Sequence, residues 1–152
     1  MKRIFFISVV AVLFIACNSS KRNGNEKSLN DSVVAARNIK IMADTANFTT
    51  IEWLDSGSHE LSKVKEGDVL EINFRFKNTG KKPLVISSVS ASCGCTVPET
   101  PKEAFAPGQE GLIRAKFDSH GKMGLQEKAI YVTANTTPST YHQRSFRVEV
   151  TL

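Results

Sequence analysis

A chain of 152 residues with 41% hydrophobic content can bury one core of domain size and has no room for a second. The formal charge of +5 is not a nucleic-acid footprint, because from residue 48 onward thirteen Lys and Arg stand against twelve Asp and Glu. A nearly neutral folded part argues against nucleic acid as a partner.

The N-terminus carries a compartment signal. Lys2 and Arg3 precede the apolar run of residues 4–16, whose thirteen residues match the h-region of a secretory signal and fall short of the roughly 18 to 20 needed to cross a bilayer. The run ends in Leu13-Phe14-Ile15-Ala16-Cys17, which resembles a bacterial lipobox, with a small residue just before the cysteine that is acylated and becomes the mature N-terminus. Phe14 stands where leucine is usual, and the competing reading is an ordinary signal peptide with an incidental cysteine. An unpaired thiol on an exported chain is a liability, which favours lipidation of Cys17. Several acyl chains, palmitate among them, anchor stably where one does not. The expectation is a lipoprotein signal peptide over residues 1–16 and a membrane-anchored protein of the cell envelope. Asn18-Ser19-Ser20-Lys21-Arg22 holds no acidic cluster of the surface-export kind, so the domain is expected to face the periplasm.

Residues 17–48 read as a solvated, flexible tether, rich up to residue 30 in Asn, Ser, Lys, Arg and Gly and without apolar periodicity. Val33, Val34, Ala36, Ile39 and Ile41 mark a weak helical pattern over residues 28–43, expected to be a nascent helix in a mobile linker. Asp31-Ser32-Val33 and Asp44-Thr45-Ala46 resemble an Asp-Ser/Thr-aliphatic signal for O-glycosylation, making Ser32 and Thr45 candidate acceptors; an unmodified linker is the alternative. Glycans there would hold the tether extended.

From residue 48 the hydrophobic period becomes two. Leu70, Ile72, Phe74 and Phe76 alternate with Glu71, Asn73, Arg75 and Lys77, a half-buried strand with one apolar face. Asn78-Thr79-Gly80-Lys81-Lys82-Pro83 is a turn cluster, and residues 84–89 form a second strand leading to the cysteines. Ile113, Ala115 and Phe117 mark a third strand after the turn Ala106-Pro107-Gly108, and Ile130, Val132 and Ala134 mark a fourth. Gly121-Lys122-Met123-Gly124 reads as a hairpin turn, with His120 an exposed loop residue beside it. Phe146, Val148, Val150 and Leu152 alternate with Arg147, Glu149 and Thr151 in a closing strand, and residues 50–54 and 59–64 supply weaker ones. About seven short strands with turn signals between them predict an all-β, immunoglobulin-like antiparallel β-sandwich over residues 49–152. Trp53, the single tryptophan, is expected to pack at the core or its rim.

Gly67-Asp68-Val69, the run Phe74-Arg75-Phe76-Lys77-Asn78-Thr79-Gly80, then Pro83-Leu84-Val85-Ile86, Ser92-Cys93-Gly94-Cys95-Thr96-Val97-Pro98, Ala106-Pro107-Gly108 and Phe117-Asp118-Ser119 resemble domain of unknown function 1573 across residues 52–152. The resemblance implies an exported, often lipid-anchored, immunoglobulin-type module related to the hydin and major-sperm-protein group, with no established activity to carry over. The chain departs from the pattern at His59-Glu60-Leu61-Ser62, where an aromatic and a glycine are more usual, and in a closing strand without the familiar glycine.

Cys93 and Cys95 are the reactive pair of the domain. A bridge across one residue closes too short a loop to remove much unfolded-state entropy, and its Cα separation is expected at the edge of the allowed range unless Gly94 makes a tight turn. In an oxidising periplasm the two have only each other, so a strained and easily reduced disulfide at a strand-ending corner is expected, with Pro98 stopping any ladder beyond it. The pair departs from the Cys-x-x-Cys redox motif and no helix follows Cys95 to depress a thiolate pKa. Three readings stay open: a structural pair, a redox-responsive dithiol, or a two-thiolate site for Cu(I). Zinc would need two further ligands, and His59, His120 and His142 are far away in sequence.

Other catalytic patterns fail: no nucleophile elbow, no Gly-rich phosphate loop after a strand, and carboxylates scattered on solvated strand faces. The chain therefore reads as a non-enzymatic binding or structural module without cofactor or resident metal. Its partner is an envelope protein or a glycan, with the thiol or copper protein as the alternative.

Overall fold

Strict alternation decides which side chains go inside. The computed structural model describes residues 25–152; the signal-type segment, Cys17 and the first part of the tether lie outside the described residues. In β4 (Val69–Asn78) Ile72, Phe74, Phe76 and Asn78 are buried while Glu71, Asn73 and Arg75 face solvent. The same period buries Ile113, Ala115 and Phe117 in β7 (Glu110–Asp118), Ile130, Val132 and Ala134 in β8 (Gly124–Ala134), and Phe146, Val148 and Val150 in β9 (Tyr141–Thr151). The inward faces meet as two sheets. One has the order β1 (Ile51–Trp53), β4, β7, β6 (Thr96–Pro98); the other runs β2 (Ser58–Glu60), β9, β8, β5 (Ile86–Ala91), with β3 (Val64–Lys65) also on β9. Phe117 from one sheet meets Phe146 from the other edge-to-face at 5.6 Å, in the centre of the apolar layer. Each such buried ring or aliphatic side chain contributes about 1.5–3 kcal/mol.

The immunoglobulin-like sandwich is as expected, with three local differences. The stretch 59–64 breaks into β2 and β3, and both pair parallel to β9, so the sandwich is not wholly antiparallel. The chain leaves the first sheet after Trp53 and joins the far edge of the second, a crossing that allows no hairpin. The Arg144 guanidinium holds that crossing: it lies 4.8 Å over the Trp53 ring and donates to the carbonyls of Asp55 and Ser56. Trp53 itself packs edge-on to Phe76. Burial raises the Asp55 carboxyl, but the Arg75 backbone N–H and guanidinium, at 2.6 and 3.0 Å, outweigh it and hold the group below its usual range. Secondly, a short ladder forms directly after the corner and takes in Pro98, which pairs with Ala115 as the last residue of β6. Proline is tolerated there because β6 is an edge strand, with no partner outside it that needs its N–H. Thirdly, residues 121–124 are not a hairpin, since β7 and β8 belong to different sheets; the turn carries the chain across the sandwich, with Gly121 and Gly124 at positive φ.

The weak helical pattern becomes a helix, α1 (Asn25–Ala43), rather than a nascent one in a mobile linker. The Lys102 ammonium reaches Asp31 at 2.6 Å and Asn38 donates to the Lys102 carbonyl at 2.9 Å, joining helix and sandwich. Propensity alone makes such a helix marginal; tertiary contacts complete it. A single 3-10 turn (Thr45–Asn47), capped by Asp44, then leads the chain into the sandwich.

At the end where the chain arrives, two asparagines with no exposed surface complete the backbone bonding. Asn78 accepts from the Thr49 hydroxyl at 2.8 Å and Gly80 N–H at 3.1 Å, and donates to the carbonyls of Lys82 and Phe105. Asn135 accepts from Val85 N–H at 2.7 Å and donates to the carbonyls of Asn47 and Pro83. Gly80 fits because a Cβ there would meet the Thr49 hydroxyl and the Thr50 backbone nitrogen. Replacing either asparagine by leucine strands several buried polar groups, each worth about 1–3 kcal/mol. Asn78→Leu and Asn135→Leu should each lose about 3 kcal/mol or more in urea unfolding at unchanged m-value, whereas Asn73→Ala on the exposed face should stay within about 0.5 kcal/mol. A loss below about 1 kcal/mol for both leucine variants would show that those backbone groups find other partners.

Candidate functional site

The cysteines lie at the other end of the sandwich, where β5 leaves one sheet and β6 begins in the other. Registers place them there: Thr96 pairs with Phe117 and Val69 with Asp118, while Lys77 and Glu110 mark the asparagine end. Cys93 and Cys95 are joined as a disulfide with a Cα separation of 5.3 Å. That separation is well inside the ordinary span of about 4.4–6.8 Å, not at its edge. Gly94 supplies no left-handed turn: its φ lies outside that region and a Cβ there would meet open space. The corner is shaped instead by backbone hydrogen bonds. Ser92 N–H donates to Ala129 O at 2.9 Å, Ala129 N–H to the Ser92 hydroxyl at 3.1 Å, Thr96 N–H to Cys93 O at 3.2 Å and Asp118 N–H to Cys95 O at 2.9 Å.

The two sulfurs have different surroundings. The Thr96 side chain, 3% exposed, has its hydroxyl 3.8 Å from Cys93 Sγ. Cys95 packs against the edge of the core and lines an open groove of about 450 Å³. Val69 and Val97, both largely exposed, form the apolar part of that groove, and Lys116, Lys122, Asp118 and His120 its charged and polar part. Asp118 accepts from His120 N–H at 2.9 Å, and His120 Nδ1 is 3.5 Å from Glu66.

The other histidines go elsewhere. The His59 ring sits 4.8 Å from Phe74, its Nε2 buried and without a hydrogen-bond partner. His142 Nε2 is 2.8 Å from the Thr136 hydroxyl; burial and then the Arg144 charge push its pKa down, keeping the ring neutral to lower pH. His59 and His142 therefore lie away from the cysteines while His120 shares the groove with Cys95, and among the described residues no three His, Cys, Asp or Glu side chains group as metal ligands. Both thiolates of the copper alternative are tied up while the disulfide stands.

Ser32 is on the exposed face of α1 and Thr45 in the exposed 3-10 turn, so both candidate acceptors sit on folded elements rather than an extended chain. Between α1 and the β5 edge lies an apolar recess of about 700 Å³, walled by Val34, Ile39 and Met42 on one side and Ile86 and Pro101 on the other. The groove beside Cys95 escaped the sequence reading, because its walls come from three strands and a sheet-crossing turn distant in sequence. One signal was available: Val69 and Val97 are apolar residues at positions whose period points outward.

Because three backbone bonds and one to the Ser92 hydroxyl hold the corner independently of sulfur, the double variant Cys93→Ala, Cys95→Ala should cost about 1–2 kcal/mol. Thermal melts of the oxidised, reduced and substituted protein check this; global unfolding on reduction would overturn it.

The family model described as "Protein of unknown function (DUF1573)" matches residues 51–150. No curated protein matches the chain. Among solved structures, a protein of unknown function from Porphyromonas gingivalis W83 is similar at TM-score 0.59 and 17% identity, over 70% of this chain and 49% of the other. The chain thus spans about half the length of that protein. The ASH/PapD-like domain 7 of human CEP192 is similar at TM-score 0.51 and 11% identity, over 68% of this chain and 85% of that domain. The YadV chaperone is similar at TM-score 0.50 and 13% identity, over 66% of this chain and 51% of the chaperone. At these identities the likeness is one of fold.

Proposed function

The chain belongs to the DUF1573 family of proteins of unknown function, and from that premise we propose that it is a lipid-anchored protein of the cell envelope presenting a non-enzymatic immunoglobulin-like module. One observation carries the reading: Lys2-Arg3, the short apolar run and Ala16-Cys17 stand in export order ahead of a single sandwich. Acylated Cys17 holds the N-terminus at the membrane, and α1, about 28 Å long at 1.5 Å per residue, separates that anchor from the domain. The module faces the periplasm and meets an envelope protein or glycan through its loops and edge strands, the parts of a sandwich free to bind.

Cys17→Ser removes the acylation site, so the variant should leave the membrane fraction or accumulate as unprocessed precursor. Wild-type mature protein should carry lipid mass on its N-terminal peptide. A Cys17→Ser protein that is mature in length and still membrane-bound would refute the anchor. Intact mass also tests Ser32 and Thr45 as glycan acceptors: hexose increments lost on Ser32→Ala and Thr45→Ala are the expected result, and native protein without any increment ends that part of the proposal.

A second reading, that the cysteine pair responds to thiols, is favoured by the position of Cys95 on an open groove. Exchange needs an accessible sulfur and a corner that keeps its shape when the bond opens, and the backbone bonds around residues 92–96 supply the latter.

A further inference from the structure

Attack on a disulfide breaks the symmetry of the bond: one sulfur is struck and the other leaves with the electron pair. The surroundings of Cys93 and Cys95 differ in the way that choice requires. Cys93 and Cys95 are both half-buried, but Cys95 is among the walls of the groove and Cys93 is not, so a nucleophile entering the groove from solvent meets Cys95. Cys93 lies against the Thr96 hydroxyl at 3.8 Å. Neither sulfur of a disulfide carries a proton, so in that contact Thr96 is the donor and the sulfur the acceptor. A donor already in place strengthens as negative charge develops on its acceptor.

The charge of the groove adds a selection. Lys116 and Lys122 contribute two ammonium groups, and neither is in an ion pair or side-chain hydrogen bond among the described residues. The one carboxylate on the groove, Asp118, keeps its charge while accepting from His120 N–H, so the two ammonium groups against it leave the groove's own walls with one net positive charge, with Glu66 farther out beyond His120. The field over Cys95 therefore favours an approaching thiolate with further negative charge, and the exposed Val69 and Val97 give apolar contact beside it.

We infer that the Cys93–Cys95 bond is a seat of thiol–disulfide exchange in which Cys95 is the attacked sulfur, Cys93 the leaving thiolate, and the partner a dithiol set in acidic surroundings. This rests on the thiol-responsive reading given above. In the first step the partner thiolate forms a bond to Cys95 Sγ, the Cys93–Cys95 bond breaks, and its electron pair stays on Cys93 Sγ, which accepts from Thr96. In the second, the partner's other thiolate attacks its own sulfur in the mixed disulfide and Cys95 leaves as thiolate. The two protons of the partner's thiols end on Cys93 and Cys95 by way of water. Two electrons have then moved from the partner dithiol, now a disulfide, to the protein, now a dithiol. The corner keeps its backbone bonds throughout, so the sulfurs stay placed for the reverse reaction.

The test uses the oxidised full chain and two small monothiols, anionic mercaptoethanesulfonate and cationic cysteamine. Each rate is divided by that of the same thiol with an uncharged reference disulfide, bis(hydroxyethyl) disulfide, which removes differences in thiol acidity. Mixed disulfides are trapped with N-ethylmaleimide and mapped by mass spectrometry. The expected result is the thiol on Cys95 and the maleimide on Cys93, with a preference of about tenfold, and a normalised rate about threefold higher for the anionic thiol. Lys116→Gln with Lys122→Gln should bring the two thiols to equal rates. Thr96→Val should reduce the rate of opening severalfold and Thr96→Ser restore it, which a merely structural role for Thr96 would not predict. Adducts on Cys93, or divided evenly, overturn the assignment of the attacked sulfur while leaving the thiol-responsive reading in place. Equal normalised rates in the wild type overturn the charge selection. A bond that neither thiol opens, under conditions that open the reference, ends both.

Discussion

Buried backbone at the ends of a β-sandwich has no ladder to complete its hydrogen bonds, and here two asparagine side chains supply what the ladder cannot. Asn78 and Asn135 bond to backbone in the arriving segment, the β4–β5 connection and the loop before β7, which come together at one end. An amide side chain suits this because it offers acceptor and donors on one rigid plane. The loops are thereby set at lengths that let β4 and β5 lie in different sheets, and the register of the core strands follows. Close approach at Gly80 and Gly111 belongs to the same economy of space: a Cβ at Gly111 would meet the rings of Phe76 and Phe105.

The opposite end is organised differently. There the chain crosses between sheets three times, at residues 66–68, 92–95 and 119–123; main-chain bonds tie the second crossing to β7 and β8, and Ser119 N–H to Asp68 O ties the third to the first. A disulfide in such a place is not the only bond that holds its corner. The same bond in the core would be inaccessible, and in a mobile loop it would have no fixed neighbours. At a crossing it is both accessible and positioned, with a buried hydroxyl beside one sulfur and a charged groove beside the other.

The N-terminal helix links these features to the membrane reading. Its contacts with the sandwich include an ion pair between partly exposed groups and a hydrogen bond to the Lys102 backbone, while the apolar recess beneath it stays open. Exposed ion pairs contribute at most about 1 kcal/mol. The helix is therefore docked on the module without being part of its core.

The alternation in β4, β7, β8 and β9 was readable residue by residue, because a strand with one buried face writes its period directly into the chain. The core residues followed from that period, and the fold class from the period together with the turn signals between strands. Short edge strands carry no such period: β6 is three residues ending in proline, and β2 and β3 have three and two residues, so only their neighbours decide that they pair and in which direction. Asn78 reads as the start of a turn cluster and Asn135 stands out in no pattern, since nothing local says that the backbone they serve is buried. Gly121 and Gly124 mark a turn in any reading, but whether a turn closes a hairpin or crosses a sandwich depends on where the following strand packs. The sequence alone determined that Cys93 and Cys95 stand one residue apart at the end of a strand. The tertiary structure decided what surrounds each sulfur, because Thr96, Lys116, Lys122, Val69 and Val97 come together there only through the packing of β4, β6, β7 and the crossing turn.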